Sequence, residues 1–323
     1  MQKYSSVIIG CGSYLPKTIL SNDELAKIVD TNDEWIVSRS GIKQRHIVAE
    51  GELTSDMAFK ASIAAIDTAK INADEIDMII VCTTSPDNSF PAVAVKVQTK
   101  LGLKNIPAFD LQAVCAGFIY GLSVADNFIK AGSAKTILVI GADSMSKLVD
   151  WKDRATCVLF GDGAGAVILK AHNAQEQQGI IASTIHADGA YESILVTSGG
   201  ISSTQTTGFT TMLGKEVFRH AVEKMSDVIV KLLEQTKFSK DDINWLIPHQ
   251  ANARIIDAIA KRLDFPKSKV AITVDLHSNT SAATIPLALD HYVKAGMIKS
   301  GDLIITTALG AGLTWGGCLF RWK

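Results

Sequence analysis

Three residues in this chain have types that do chemistry together: Cys115, His249 and Asn279. Cys115 stands in "FDLQAVCAGFIYGL" (Phe109 to Leu122), where an extended apolar run gives way to a helical period. Backbone N–H groups without partners, and the positive end of the helix dipole, favour thiolate over thiol at such a start. The thiolate is the nucleophilic form. Ala116 and Gly117 leave room for a substrate, and the Cys115 N–H is a candidate oxyanion donor. His249, in "IPHQANARII", follows a strand candidate and Pro248 and precedes a helix expected from about Ala251 to Leu263. Asn279 stands in "DLHSNTSAA", with His277 as a rival histidine on what reads as an extended segment. A sulfur nucleophile facing two neutral hydrogen-bond donors suits covalent acyl transfer.

These residues lie far apart in the chain, so the elements around them must bring them together. "MIIVCTT", "PAFDLQ", "TILVIGA", "CVLF" and "AVILK" read as strands with helical periods between several of them, the pattern of a covered α/β sheet. Two internal echoes suggest duplication. "ADNFIKAG" (Ala125 to Gly132) matches "LDHYVKAG" (Leu289 to Gly296), and the same offset places Cys115 opposite Asn279. "ADEIDMIIVCTT" matches "KDDINWLIPHQAN" and sets His249 opposite Cys82 at a strand's end. Both Cys115 and Asn279 then follow a strand containing Asp-Leu. The expected halves are residues 1–172, with the nucleophile, and 173–323, with the histidine and asparagine, joined near "AHNAQEQQG" (Ala171 to Gly179). Packed about a pseudo-twofold axis, equivalent strand ends converge, and ligand sites in α/β sheets lie at those ends.

Composition excludes several classes. Of 323 residues 47% are hydrophobic and 20% charged, with net charge −1, which argues against disorder and against nucleic acid as a partner. The longest apolar runs fall far short of the roughly 20 residues that span a bilayer. The N-terminal apolar stretch is too brief for a signal peptide, so a cytoplasmic protein is expected, with no membrane association. Five cysteines without a CxxC pair give no support for a disulfide framework or a metal site. "GDGAGA" (Gly161 to Ala166) fits a dinucleotide fingerprint but runs towards a strand rather than a helix, and "GCGSYLP" meets Pro16; both read as tight turns. A papain-like Cys-His-Asn protease is a rival, but the signature around such a nucleophile is missing.

Taken in order, "DEWIVSRSGIKQRH", "QAVCAGFIYGL", "FGDGAGAVIL", "GKEVFRHAV", "PHQANARII", "SNTSAATIPLAL" and "GAGLTWGG" resemble the β-ketoacyl-acyl carrier protein synthase III family of thiolase-superfamily condensing enzymes, across essentially the whole chain. The resemblance implies a five-layered αβαβα fold of two duplicated halves, a homodimer, and the condensation that initiates type II fatty acid synthesis. Cys115 would take an acyl group from acyl-CoA, with acetyl as the default starter. His249 and Asn279 would hold the thioester oxygen of malonyl-acyl carrier protein as CO2 leaves. No cofactor is implied, since CoA and phosphopantetheine are carriers of substrate. A polyketide-type condensing enzyme, a cysteine thioesterase and a non-catalytic carrier-protein binder are the alternatives.

Trp35 and Arg39, four apart, would share a helix face suited to a flat base or a phosphate. By resemblance these two and Arg154 contact the nucleotide, Asn252 lies nearer the pantetheine, Phe90 reaches across the dimer to cap the acyl pocket, and Gly312 supplies a second oxyanion N–H. An acidic carrier protein needs a basic dock. The expected surface runs through Gln250, Ala251, Asn252, Ala253, Arg254 and Lys261, extended by Arg219, Arg262 and Lys215. Leu309 and Leu313 stand where the family commonly has phenylalanine, which bears on the pocket's shape.

Overall fold

The computed structural model describes residues 3–174 and 178–323. In chain order the strands are β1 (Tyr4–Tyr14), β2 (Thr18–Ser21), β3 (Gln44–Ile47), β4 (Met78–Cys82), β5 (Ala108–Leu111), β6 (Thr136–Ser144), β7 (Asp162–Asn173), β8 (Gly179–Ala187), β9 (Leu195–Gly200), β10 (Thr206–Met212), β11 (Trp245–Pro248), β12 (Leu303–Gly310) and β13 (Thr314–Arg321). The helices are α1 (Asn22–Leu25), α2 (Asp33–Ser40), α3 (Thr54–Ala69), α4 (Val93–Lys100), α5 (Gly117–Lys130), α6 (Gly214–Thr236), α7 (Ala253–Arg262), α8 (Val274–His277) and α9 (Thr284–Lys294).

The first sheet has the order β1-β7-β6-β4-β5, with β6–β4 and β4–β5 parallel and β1–β7 and β7–β6 antiparallel. The second, β8-β13-β12-β11, repeats the first four positions with the same strand senses. Its fifth position shrinks to one parallel bridge between Leu246 and Val270. Every residue of β6 is buried, as in a strand covered on both faces.

Three apolar cores fix five layers. One joins α3 and α4 to the first sheet, one holds α5 and α9 between the sheets, and one seats α6 and α7 on the second sheet. The α7 helix shows why: Ile255, Ile256, Ile259 and Ala260 face the core while Arg254, Asp257, Lys261 and Arg262 face outward. Among the described residues no helix is long and apolar enough to cross a membrane.

Three sequence expectations are corrected, and a fourth falls partly outside the described residues. "CVLF" is no strand: an Asp153-nucleated turn holds it, with the carboxylate accepting from the Ala155 N–H and the Thr156 hydroxyl, and only Phe160 makes a bridge, to Asn279. Neither glycine motif is a tight turn, since "GCGSY" belongs to β1 and "DGAGA" to β7. Their glycines let helices approach: a side chain at Gly12 would collide with the α3 backbone, and one at Gly165 would come within 2.8 Å of the Leu287 N in α9. Asp275 and His277 lie in α8 rather than on a strand. The join expected at Ala171 to Gly179 includes residues 175–177, which lie outside the described residues; β7 itself continues through Asn173.

Candidate active site

Cys115 and His249 sit just beyond strands of the two sheets, and Asn279 follows α8. After β5 the chain turns through Val114–Ala116 into α5, and Val114 takes φ +48°, a left-handed conformation that costs a β-branched residue about 1–3 kcal/mol. The turn is held from the other half, where Thr314 Oγ1 donates to the Ala113 carbonyl at 2.8 Å. Gly310 lies so close that a Cβ there would be 2.8 Å from the Cys115 N, which is why β12 ends in glycine.

His249 follows β11. Its N–H donates to the Thr307 carbonyl at 2.8 Å, and its ring Nδ1 lies 2.6 Å from Thr284 Oγ1. Burial lowers its pKa to about 3, so the imidazole is neutral. Asn279 is clamped by its own backbone, with its N–H on the Leu159 carbonyl and its carbonyl accepting from the Gly161 N–H. Its side-chain Oδ1 accepts from the Ser281 N–H at 2.9 Å, which leaves the Nδ2 hydrogens to point elsewhere.

Cys115, His249 and Asn279 line one cavity of about 780 Å³. The three are only 2–6% exposed, whereas Arg39, Lys215 and Arg254 on the same wall are exposed, so the three lie at the bottom and the cations at the mouth. Among the described residues no group of three or more His, Cys, Asp or Glu is arranged to hold a metal.

Burial overturns one expectation. The Cys115 pKa is pushed up to about 12, mainly by desolvation; the Ser281 hydroxyl draws it down, the Asp143 charge raises it, and its own N–H lowers it. The resting sulfur is therefore a thiol, because loss of water outweighs the dipoles at the turn.

The expected binding residues divide. Trp35 and Arg39 are on α2 and border the cavity, as do Asn252, Ala251, Arg254, Gly312 and Leu309. Gly312 has φ +131°, a conformation an L side chain rarely adopts. Asn252 caps α7 through its Oδ1, which accepts from the Ile255 N–H, so only its amide hydrogens are free for a ligand. The Arg154 guanidinium lies 5.0 Å from the centre of the Trp35 ring and that of Arg39 5.8 Å, so the indole is already flanked by both arginines. Phe90 is 85% exposed and does not border the cavity of its own subunit. Ala253 packs against Gly41, Lys261 is exposed one helical repeat beyond Arg254, and Arg219 and Arg262 are engaged by Glu216 and Asp227.

Gln250 is misplaced as a docking residue. It is buried, donates to the Pro248 and Ala271 carbonyls and accepts from the Thr273 N–H, so it ties β11 to the following segment. Leu313 is wholly buried in the second-half core and leaves the pocket's shape to Leu309. His277 does not reach the cavity.

Sequence reasoning missed the hairpin of β9 and β10, which contributes Leu195, Val196, Thr197, Thr210 and Met212 to the cavity wall. Its threonine-containing runs on either side of Gly199 and Gly200 were the available signal. Thr284 and Ser281, behind the histidine and asparagine, had no such signal.

Residues 109–189 match the family model for 3-oxoacyl-[acyl-carrier-protein] synthase III, and residues 233–322 match the model for that family's C-terminal part. The chain is 56% identical to the beta-ketoacyl-[acyl-carrier-protein] synthase III of Rickettsia bellii over 98% of its length and 99% of that protein's. Against the corresponding enzyme of Paramagnetospirillum magneticum the identity is 54%, over 98% of both chains. The crystal structure of 3-oxoacyl-[acyl-carrier-protein] synthase III from Aquifex aeolicus superimposes with a TM-score of 0.93 at 46% identity, covering 98% of this chain and all of that one. An α/β architecture shared over 98% of the chain and identities of 54–56% to its relatives make the conclusion direct: this chain belongs to the 3-oxoacyl-[acyl-carrier-protein] synthase III family.

Proposed function

We propose that this protein condenses a short acyl-CoA starter with malonyl-acyl carrier protein, giving 3-ketoacyl-acyl carrier protein, CoA and CO2, and so initiates fatty acid synthesis. The observation that carries this reading is the meeting of Cys115, His249 and Asn279 in one cavity whose mouth is cationic.

In the first half-reaction Cys115 Sγ attacks the acyl-CoA carbonyl. A new C–S bond forms, the bond to CoA sulfur breaks, and the thiol proton leaves with CoA. The Cys115 and Gly312 N–H groups would receive the oxyanion. A purine that displaced Arg154 from the Trp35 ring would stack between indole and guanidinium, and the cations at the mouth suit the phosphates. In the second half-reaction the malonyl C–C bond breaks, and the electron pair moves onto the thioester oxygen as CO2 leaves. His249, neutral at working pH, and Asn279 Nδ2 are the donors for that oxygen. The enolate carbon attacks the acyl-cysteine, and the displaced sulfur takes up a proton. Arg254 and Lys261 on α7 form the carrier-protein dock, and a homodimer would place Phe90 of one subunit against the pocket of its partner.

Intact mass spectrometry against acyl-CoAs of increasing length tests the reading directly. One acyl mass should add at Cys115, with acetyl and its near homologues most efficient, and malonyl-acyl carrier protein should then release CO2 and a ketoacyl-carrier product. Free acid alone would establish a thioesterase; no added mass would leave only a binder.

A further inference from the structure

One proton decides what His249 presents to the cavity. The Thr284 hydroxyl lies 2.6 Å from His249 Nδ1 and 3.1 Å from the Ser281 carbonyl oxygen, and it has a single hydrogen to give. All three residues are buried. The Ser281 carbonyl already accepts from the Thr284 N–H, which closes the turn Ser281–Ala283, so it does not depend on the hydroxyl. A 2.6 Å separation is short for an N–H donor to oxygen, whose range begins at about 2.7 Å, which favours the hydroxyl as the donor. An Nδ1 that accepts carries no proton, so a neutral imidazole then carries its proton on Nε2.

We propose that Thr284 is a positioning residue whose hydroxyl donates to His249 Nδ1 and so holds the imidazole in the tautomer with Nε2–H turned to the acyl cavity. The tautomer is a property of the fold; only its use, holding the malonyl thioester oxygen, rests on the function proposed above. Both donors are then set by one turn. Ser281 fixes Asn279 by taking its Oδ1, and Thr284, three residues on, fixes His249 by taking up its Nδ1. A histidine held this way is a donor and not a base, so removal of the Cys115 proton is not its task.

Imidazole 15N spectra of the full-length protein should show the Nε2–H pattern for His249 in the wild type and in Thr284→Ser, and loss of that pattern in the near-isosteric Thr284→Val. Thr284→Val should slow decarboxylative turnover of malonyl-acyl carrier protein about 100-fold, the scale of a lost oxyanion donor. Acyl-enzyme formation should stay within about threefold of wild type, and Thr284→Ser should restore turnover. An Nδ1–H pattern in the wild type, or a Val variant with wild-type turnover, overturns the assignment. Should the Val variant fail to fold, the wild-type and Ser spectra decide alone. A wild type that acylates but releases no CO2 would refute the proposed reaction, while the spectra still judge the tautomer.

Discussion

The two halves build the same corner and use it differently. In each, a three-residue turn opens the central helix: Val114–Ala116 before α5 and Ser281–Ala283 before α9. Val114 and Ser281 share the left-handed conformation, at φ +48° and +54°. Each turn is gripped by the other half, since Thr314 holds the Ala113 carbonyl and Asp143, at the end of β6, accepts from the Ala282 N–H at 3.2 Å. The helices also end alike, in Lys-Ala-Gly with Gly132 and Gly296 left-handed. But α5 has 14 residues and α9 only 11. Matched from the turn, Cys115 faces Ala282 rather than Asn279. The first half places Cys115 at its corner. The second keeps an alanine there, packed near Gly117 and Gly141, with Asn279 just before the turn and Thr284 just after it.

That division of labour predicts opposite defects. Cys115→Ala should abolish the acyl-enzyme entirely while leaving malonyl-acyl carrier protein decarboxylation measurable. Asn279→Ala should do the reverse, forming the acyl-enzyme normally but condensing about 100–1,000-fold more slowly. Mass spectrometry for the first step and CO2 release for the second read them separately. Equal loss of both steps in the Asn279 variant would mean that the halves do not divide the reaction.

A smaller effect separates α4 from α7, the helices that follow β4 and β11. Lys96 and Lys100 of α4 are paired with Asp87 and Asp56 at 3.0 and 2.7 Å. Arg254 and Lys261 of α7 have no carboxylate partner among the described residues, and Arg254 rests over the Phe218 ring. Only the second pair is available to an acidic partner. Arg254→Glu with Lys261→Glu should raise the apparent KM for malonyl-acyl carrier protein about tenfold and leave use of acyl-CoA little changed. Equal losses with both substrates in steady-state assays would remove α7 from docking.

Legibility in the sequence followed how locally each feature is determined. The continuous Val/Ile run of β6 and the repeated Lys-Ala-Gly announce a covered strand and a repeated helix end, because burial and a left-handed cap each demand particular residues on the spot. Cys115 and His249 were legible as types beside strand ends and Asn279 through the internal echo, and all three line one cavity. The three-residue difference between α5 and α9 was not, since a shortened helix leaves its own period intact. Glycines in β1 and β7 misread as turns because their reason, a helix lying close above, comes from another part of the chain. Gln250 looked available for the same kind of reason: three hydrogen-bond partners at Pro248, Ala271 and Thr273 become visible only when the fold closes.

The gentlest contrast concerns the approach to each corner. Gln112 and Ala113 carry no titrating group, whereas the second half brings in His277, buried, with Nδ1 unpartnered among the described residues. Its pKa is lowered to about 4, chiefly by desolvation and then by His291 and His46, against an opposing pull from Asp290. The folded value lies below the unfolded value of about 6.5, so below that pH the unfolded chain binds more protons. The neutral ring's contribution is complete above pH 6.5 and is lost as pH falls towards 4. At pH 5 the loss is about 2 kcal/mol. His277→Asn should therefore close its stability gap to wild type, or reverse it, by about that amount between pH 7 and 5. Urea unfolding of both proteins at each pH measures it. Asp143 and Asp162, whose carboxyls burial raises, act alike in both and cancel in the difference. A gap that stays constant with pH would mean that His277 titrates normally, and that the second corner is as indifferent to acid as the first.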